Sequence, residues 1–183
     1  MSRTTLGLAG TFASGKDTMA NYLVAEHNFT HVSTGDLIRQ EVKGRGQSVV
    51  RDNLVAVGNE LREEFGSGVL VERAVADNIS AAKLVISGIR AVGEGRAVKN
   101  NGGKLVFLDA PVESRYIRLK DRGRIGDETS LEDFISHEER ELTSNQDTNQ
   151  NILGVRRIAD IELFNDRGQK ELFIAVRELL AQL

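Results

Sequence analysis

Short apolar runs and helical stripes alternate along this chain. Thr4–Ala9, Thr30–Ser33, Lys83–Ser87, Lys104–Asp109 and Asp160–Phe164 each read as a strand. Between them the apolar residues fall at helical spacing. Met19–Ala25 has the spacing of an amphipathic helix. Val50, Leu54, Val57, Leu61 and Phe65 form a helical stripe across Val49–Phe65. Gly66 then reads as a stop and Ser67 as a fresh start, with a further helix over Val69–Ile79. The single proline, Pro111, follows a strand and is expected at the first position of a helix. Another helix starts near Leu131, and Ser144–Asn151 is a polar stretch expected as an exposed loop. Leu172, Phe173, Val176, Leu179 and Leu180 share one face of a closing helix and read as core packing. Alternating strands and helices imply a parallel sheet wrapped on both faces by helices. In such sheets ligands bind at the carboxyl ends of the strands, so chemistry is sought just after each strand.

Composition narrows the classes. At 183 residues the chain fits one domain with a full-sized core. It is 40% hydrophobic and 28% charged, ordinary for a globular protein. A net charge of −3 disfavours a nonspecific nucleic-acid binder. With no cysteine, neither a disulfide framework nor a thiolate metal site is available. No stretch is apolar and long enough for a membrane span, and the N-terminus has no signal-peptide pattern, so a cytoplasmic protein without a membrane partner is expected. Asn28-Phe29-Thr30 and Asn78-Ile79-Ser80 match the glycosylation pattern only by chance in that setting. Nothing in the sequence sets the oligomeric state.

The densest chemistry lies between the first strand and the first helix, in Gly10-Thr11-Phe12-Ala13-Ser14-Gly15-Lys16-Asp17-Thr18. Glycines let a backbone curl until successive N–H groups point at one anion. The positive end of the following helix faces the same point. Lys16 adds a full charge beside the β- and γ-phosphates of a nucleotide. Gly10, Ala13, Ser14, Gly15, Lys16, Asp17 and Thr18 are therefore candidate nucleotide contacts. The common pattern places Ser or Thr directly after the lysine, as a magnesium ligand. Here Asp17 stands there and Thr18 follows, so either is a candidate metal ligand.

After the second strand comes Ser33-Thr34-Gly35-Asp36-Leu37-Ile38-Arg39. Ser33 or Thr34 suits a helix cap, and Asp36 suits a helix's first turn. Arg39, one turn on, can present a fork to a phosphate. This segment resembles the start of the acceptor-binding region of adenylate kinase and its relatives. The resemblance implies that Thr34 and Arg39 hold an acceptor nucleotide. It also implies a three-layer α/β P-loop NTPase fold with a five-stranded parallel sheet, a helical acceptor-binding insertion over about 34–80 and a lid over about 122–130, all in a single kinase domain. The spacing Arg51…Gly58…Leu61-Arg62…Gly66 is similar to phage-type deoxynucleoside monophosphate kinases, which makes Arg51 and Arg62 candidate acceptor contacts. As isolated helix residues, both would instead be solvated and paired with Glu63 or Glu64.

The third strand runs into Ser87-Gly88-Ile89-Arg90. Many P-loop enzymes carry an acid at such a strand end, holding magnesium through water; Ser87 takes that place here. Gly88 permits close approach of a ligand to backbone, and Arg90 resembles a second acceptor-phosphate arginine of the family. Asp109, at the fourth strand's end, reads as a cap before it reads as a metal partner. The basic run Arg115–Arg124 would ordinarily be a solvated face. It also precedes a polar stretch laid out like the lid of this fold, and Arg118-Leu119-x-x-Arg122 looks like the start of the lid in dephospho-CoA kinase. Arg118, Arg122 and Arg124 are thus candidates to neutralise the moving phosphoryl group, Arg122 and Arg124 first. Arg140 matches a post-lid arginine more loosely. Ala159-Asp160 followed by Asn165-Asp166-Arg167-Gly168 resembles the final turn of these kinases, implying an adenine site lined by Asn165, Asp166 and Gly168. As plain local structure it is a turn and helix cap. His27, His31 and His137 show no metal-ligand spacing.

Together these readings lead to a kinase that uses ATP and Mg2+ on a nucleoside or deoxynucleoside monophosphate, with Lys16, Arg122 and Arg124 at the transfer step. Two alternatives stand beside it. One is dephospho-CoA kinase, with Asp36 as catalytic base for a hydroxyl acceptor. The other is a non-enzymatic nucleotide-binding switch.

Overall fold

The computed structural model describes residues 3–122, 130–142 and 150–183. Its strands are β1 (Thr4–Gly10), β2 (Thr30–Ser33), β3 (Lys83–Ile89), β4 (Lys104–Asp109) and β5 (Ile161–Phe164). Its helices are α1 (Lys16–His27), α2 (Thr34–Gly44), α3 (Arg51–Phe65), α4 (Val69–Asp77), α5 (Val92–Asn100), α6 (Val112–Arg122), α7 (Leu131–Leu142), α8 (Ile152–Arg157) and α9 (Gln169–Leu180). The strands form one sheet in the order β2-β3-β1-β4-β5, every neighbouring pair parallel. All carboxyl ends therefore face one edge. The three-layer α/β architecture with a five-stranded parallel sheet is the one expected.

The strands are legible because each central one is buried on both faces. Leu6 and Leu8 of β1, Val85 of β3 and Val106 and Leu108 of β4 pack with Met19 and Leu23 of α1 and Leu172, Val176 and Leu179 of α9. Their alternates, Ala9, Leu84, Ile86, Leu105 and Phe107, pack on the opposite face with Val71, Val98, Ile152 and Val155. Each such side chain contributes about 1.5–3 kcal/mol by leaving water. Pro111 sits one residue ahead of α6, not inside it; its carbonyl accepts from Arg115 N at 3.0 Å.

The pairing of β1 with β3 slips by one residue, from Leu8↔Ser87 to Ala9↔Ile89. Gly88 is the extra residue, a bulge at φ 84°. Thr34 Oγ1 donates to Gly88 O at 2.8 Å, and a Cβ on Gly88 would stand 2.7 Å from that same oxygen. Only glycine permits this turn at the edge where the strands end.

Between β2 and β3, α2, α3 and α4 enclose a small core of their own, built from Ile38, Val42, Val57, Leu61, Val69 and Leu70. The stripe expected across α3 is buried only in its middle. Val50 and Phe65 are about half exposed, and Gly66 ends the helix at φ 100° as anticipated. A buried ion pair ties this unit to the sheet. Arg62 donates through Nε and Nη2 to Glu94 Oε1, both at 2.9 Å, while Glu94 Oε2 accepts from the backbone of Arg90 (2.8 Å) and Ala91 (3.1 Å). Arg62 is thus neither solvated nor paired with Glu63 or Glu64, because α3 turns it inward to an acid that β3 and α5 deliver.

Removing one partner of a buried pair leaves the other charged and unmatched. Glu94→Ala is expected to cost about 3–5 kcal/mol of stability, read as a lower midpoint in urea denaturation. The double change Arg62→Met with Glu94→Leu is expected to cost much less than the two single changes summed.

Candidate functional site

The carboxyl edge of the sheet opens into a cavity of about 1100 Å³, walled by the loop after β1 on one side and by α2 and α3 on another. The loop is curled through Gly10 (φ 140°), Ala13 (φ 58°) and Gly15 (φ 110°). A Cβ on Gly10 would lie 1.9 Å from Leu108 O, so β4 itself forbids any larger residue there. The loop's carbonyls are engaged one by one. Lys16 Nζ donates to Gly10 O (3.0 Å) and to Thr11 O, and lies 3.3 Å from Ser14 Oγ. Arg115 Nη1 donates to Phe12 O at 3.3 Å. Ser14 O accepts from Asn165 Nδ2 (2.8 Å) and Arg118 Nη1 (3.3 Å). Engaged carbonyls leave the amides of such a curl for an anion.

Three of these props come from outside the loop. Arg115, read from sequence as part of a solvated face, is 5% exposed. It also donates to Ala110 O, forms a two-pronged ion pair with Glu138 of α7, and lies over the Phe134 ring. Arg118 joins the loop to the turn after β5, donating to Asn165 O at 2.9 Å. Asp109 accepts from Thr11 Oγ1 (2.7 Å) and Ala110 N (2.8 Å) and faces Arg156 Nη1 at 3.3 Å. It braces the loop and the turn before α6.

Charge is crowded here. Burial pushes the Lys16 ammonium down from 10.5 to about 7, Arg90 and Arg115 add to the depression, and Asp17 and Glu138 oppose it. Burial, with help from Arg115, also lowers Arg118.

The structure brings Lys16, Ala13, Ser14, Gly15, Asp17 and Thr18 to the cavity wall. Thr34, Asp36, Arg39, Arg62, Gly88 and Arg90 line it from the other strand ends and from the helices beyond them. Arg90 donates to Gln150 Oε1 at 3.2 Å. Arg39 and Asp36 pair with each other at 2.6 Å, both well exposed. Thr34 spends its hydroxyl on Gly88, and Arg62 spends its guanidinium on Glu94, so both shape the wall more than they face its contents. Arg51, with Leu54, Val55 and Ile38, completes the α2–α3 side.

Of the expected nucleotide contacts, Gly10, Asn165, Asp166 and Gly168 are not among the residues lining this cavity. Asn165 sits behind the loop, 6% exposed, its amide holding Ser14. Gly168, at φ 100°, caps α9, whose Leu172 N donates to its carbonyl at 3.1 Å. Arg124 and most of the expected lid fall in 123–129, outside the described residues, as do the side chains of Arg122, His137 and Arg140.

Sequence reasoning missed Arg115, Glu94 and His31. His31 faces the cavity with its Nε2 2.8 Å from Ser87 Oγ. Burial lowers its pKa from 6.5, opposed by Asp17 and Asp36. Its position one strand over from Ser87 on β2 was the available signal, but only a sheet order could have exposed it.

A family model described as an AAA domain matches residues 9–134. A UPF0200 protein of Methanosarcina mazei is 32% identical over 143 residues, which covers 75% of this chain and 76% of that protein. A UPF0200 protein of Thermococcus kodakarensis is 29% identical over 184 residues, 96% of each. Shikimate kinase of Bacteroides thetaiotaomicron overlays with a TM-score of 0.61 at 17% identity, covering 98% of this chain and 99% of its own, a likeness of fold. With its curled loop at the end of β1 and relatives of this closeness, the chain belongs to the UPF0200 family and has the fold shared by P-loop kinases.

Proposed function

We propose that this chain transfers the γ-phosphoryl group of ATP to a nucleoside or deoxynucleoside monophosphate. The observation that carries this reading is one continuous cavity lined both by the loop with Lys16 and by Arg39, Arg51 and Arg90. A donor polyphosphate and an acceptor phosphate are both anions, and positive groups from different elements are gathered there for two of them. An acceptor phosphate is already nucleophilic, so positioning and charge neutralisation supply most of the rate. In this reading the loop amides and Lys16 hold the donor, Arg39 and Arg90 grip the acceptor, and Arg122 and Arg124 close over the moving group. The division is a single domain with an acceptor-binding insertion over about 34–80 and a lid over about 122–130.

Among the described residues no group of three or more His, Cys, Asp or Glu side chains could hold a metal ion by itself. Mg2+ needs no such cage, since it keeps waters and draws its other ligands from phosphates and one or two carboxylates. Asp17, exposed on the cavity wall beside Thr18, suits that role. Asp17 and Thr18 would hold the ion there, and its charge would help neutralise the polyphosphate.

A second reading draws on the Asp36–Arg39 pair. A carboxylate fixed by an arginine at the cavity wall is placed like a general base, which a hydroxyl acceptor such as dephospho-CoA requires. Asp36→Asn separates the two. Near-complete loss of turnover with an intact fold favours the hydroxyl acceptor, and modest loss favours the phosphate.

The deciding measurement is ADP release from ATP and Mg2+ across ribo- and deoxynucleoside monophosphates and dephospho-CoA. Turnover with one monophosphate is expected; ATP binding with silence across the panel would favour a nucleotide-binding switch. Lys16→Ala is expected to lower kcat by at least about 10²-fold. Arg90→Ala is expected to raise the acceptor KM by about 10- to 100-fold, from the 1.5–3 kcal/mol of a hydrogen bond to a charged group, with the ATP KM nearly unchanged. Equal losses for both ligands would overturn the division of roles.

Lys16 also gives a pH signature. Above about pH 7 it is neutral in the free protein, and an adjoining polyphosphate favours its charged form. Binding metal-free ATP at pH 8 is then expected to take up close to one proton. Affinity should fall as pH rises, by up to about tenfold per unit. Calorimetry in two buffers of different ionisation enthalpy reads the uptake, and Lys16→Met should abolish it. The sign for stability is opposite. A folded pKa below the unfolded value of 10.5 makes this group's contribution grow more favourable as pH rises from about 7 to 10.5.

A further inference from the structure

P-loop enzymes commonly carry a hydroxyl directly after the loop lysine and a carboxylate at the end of a neighbouring strand. This chain has the two groups in exchanged places. The carboxylate, Asp17, is in the first turn of α1, and the hydroxyl, Ser87, is at the end of β3. Both line the cavity beside Lys16. Ser87 is 3% exposed, so its hydroxyl has few directions open to it. One is taken by His31 Nε2 at 2.8 Å, from the strand next to it in the sheet. His31 in turn lies within electrostatic reach of Asp17 and Asp36. The imidazole thus contacts the exchanged hydroxyl and feels the charge of the exchanged carboxylate.

We propose that the magnesium-binding corner of this site is a transposed one, in which Asp17 supplies the carboxylate, Ser87 supplies the hydroxyl from the strand end, and His31 is the positioning residue that fixes how the Ser87 hydroxyl lies. The inference rests on the ATP-binding reading above and goes beyond it. The physical reason is conservation of charge and oxygen donors. A hard cation on a polyphosphate needs oxygen donors of a given total charge within reach, and it is indifferent to which element each donor rides on. Moving the acid to α1 adds negative charge beside Lys16, where Asp17 opposes the depression that burial and Arg90 impose. Leaving a neutral hydroxyl at the strand end requires that something orient it, because a serine rotor is otherwise free. Groups orienting metal-site donors typically tune affinity by about 10- to 100-fold.

The test is calorimetric binding of ATP with and without Mg2+, with the Mn2+–ATP complex followed by electron paramagnetic resonance as a readout independent of turnover. Asp17 is exposed, so Asp17→Asn is expected to fold normally, which a thermal melt checks. It should lose about tenfold or more of the affinity that Mg2+ adds, and metal-free ATP binding should persist. His31→Phe and Ser87→Ala should each lose a similar part of the Mg2+ gain, and the double variant should lose no more than either alone. Asp17→Ser combined with Ser87→Asp restores the common placement and should recover the Mg2+ gain that Asp17→Ser removes. An undiminished Mg2+ gain in Asp17→Asn would overturn the transposition. Independent, additive losses at His31 and Ser87 would overturn the positioning role. If wild-type protein binds ATP equally with and without Mg2+, this inference fails while nucleotide binding stands. If it binds no ATP at all, the function proposed above fails with it.

Discussion

A loop that offers its backbone amides to an anion must have its carbonyls satisfied from somewhere else, and the rest of this structure is arranged around that requirement. An unpaired buried carbonyl costs free energy comparable to a lost hydrogen bond. Here Gly10, Thr11, Phe12 and Ser14 each have a carbonyl engaged by a cation or an amide. The donors come from α1, α6 and the turn after β5. Those elements are fixed in turn: α6 to α7 through Arg115 and Glu138, and the β5 turn to β4 through Asn165 N on Asp109 O at 2.8 Å. The cradle is thus rigid because several elements converge on it.

The same device sets the site's electrostatics. Using arginines as carbonyl props places Arg115 and Arg118 beside Lys16 and Arg90, with Glu138 and Asp17 opposing them at Lys16. Like charges in a partly desolvated site raise the free energy of the empty state. A polyanion relieves that repulsion on binding. Preorganised positive charge of this kind needs no reorganisation when negative charge develops in the transition state.

Much of this was legible in the chain. Each strand was readable because a parallel strand buried on both faces is a nearly continuous apolar run, and Lys83–Ile89 and Lys104–Asp109 are such runs. The loop was readable because curl, charge and helix start are all local. The props were not, because their partners are remote. Arg115 meets Phe12 across 103 positions and Asn165 meets Ser14 across 151. A basic run looks solvated until α7 brings Glu138 and Phe134 over it. Arg62 looked like a surface residue for the same reason. Nothing near it in sequence announces that Glu94 is fully buried opposite. Gly168 was read by resemblance as a ligand contact; it stands at the start of α9 with φ 100° and is not among the residues lining the cavity. The α8 segment, only six residues long, is too short for a helical stripe to register.

The α2–α4 side of the cavity is physically a different kind of object from the loop after β1. Its core of Ile38, Val42, Val57, Leu61, Val69 and Leu70 lies among α2, α3 and α4 and is separate from the two cores that clamp the sheet. Its α3–α4 junction turns at Gly66, φ 100°, in open space. The unit is not detached, since Val71 and Ala74 of α4 belong to the core on one face of the sheet and Leu37 of α2 packs against both cores. Arg62 and Glu94 add a directional tether to that apolar contact. Because Glu94 also holds the backbone of Arg90 and Ala91, the carboxylate that anchors α3 is the one that sets the turn carrying Arg90. Any shift of α3 is therefore felt first at the turn from which Arg90 projects, so the placement of α3 and the placement of Arg90 are mechanically linked.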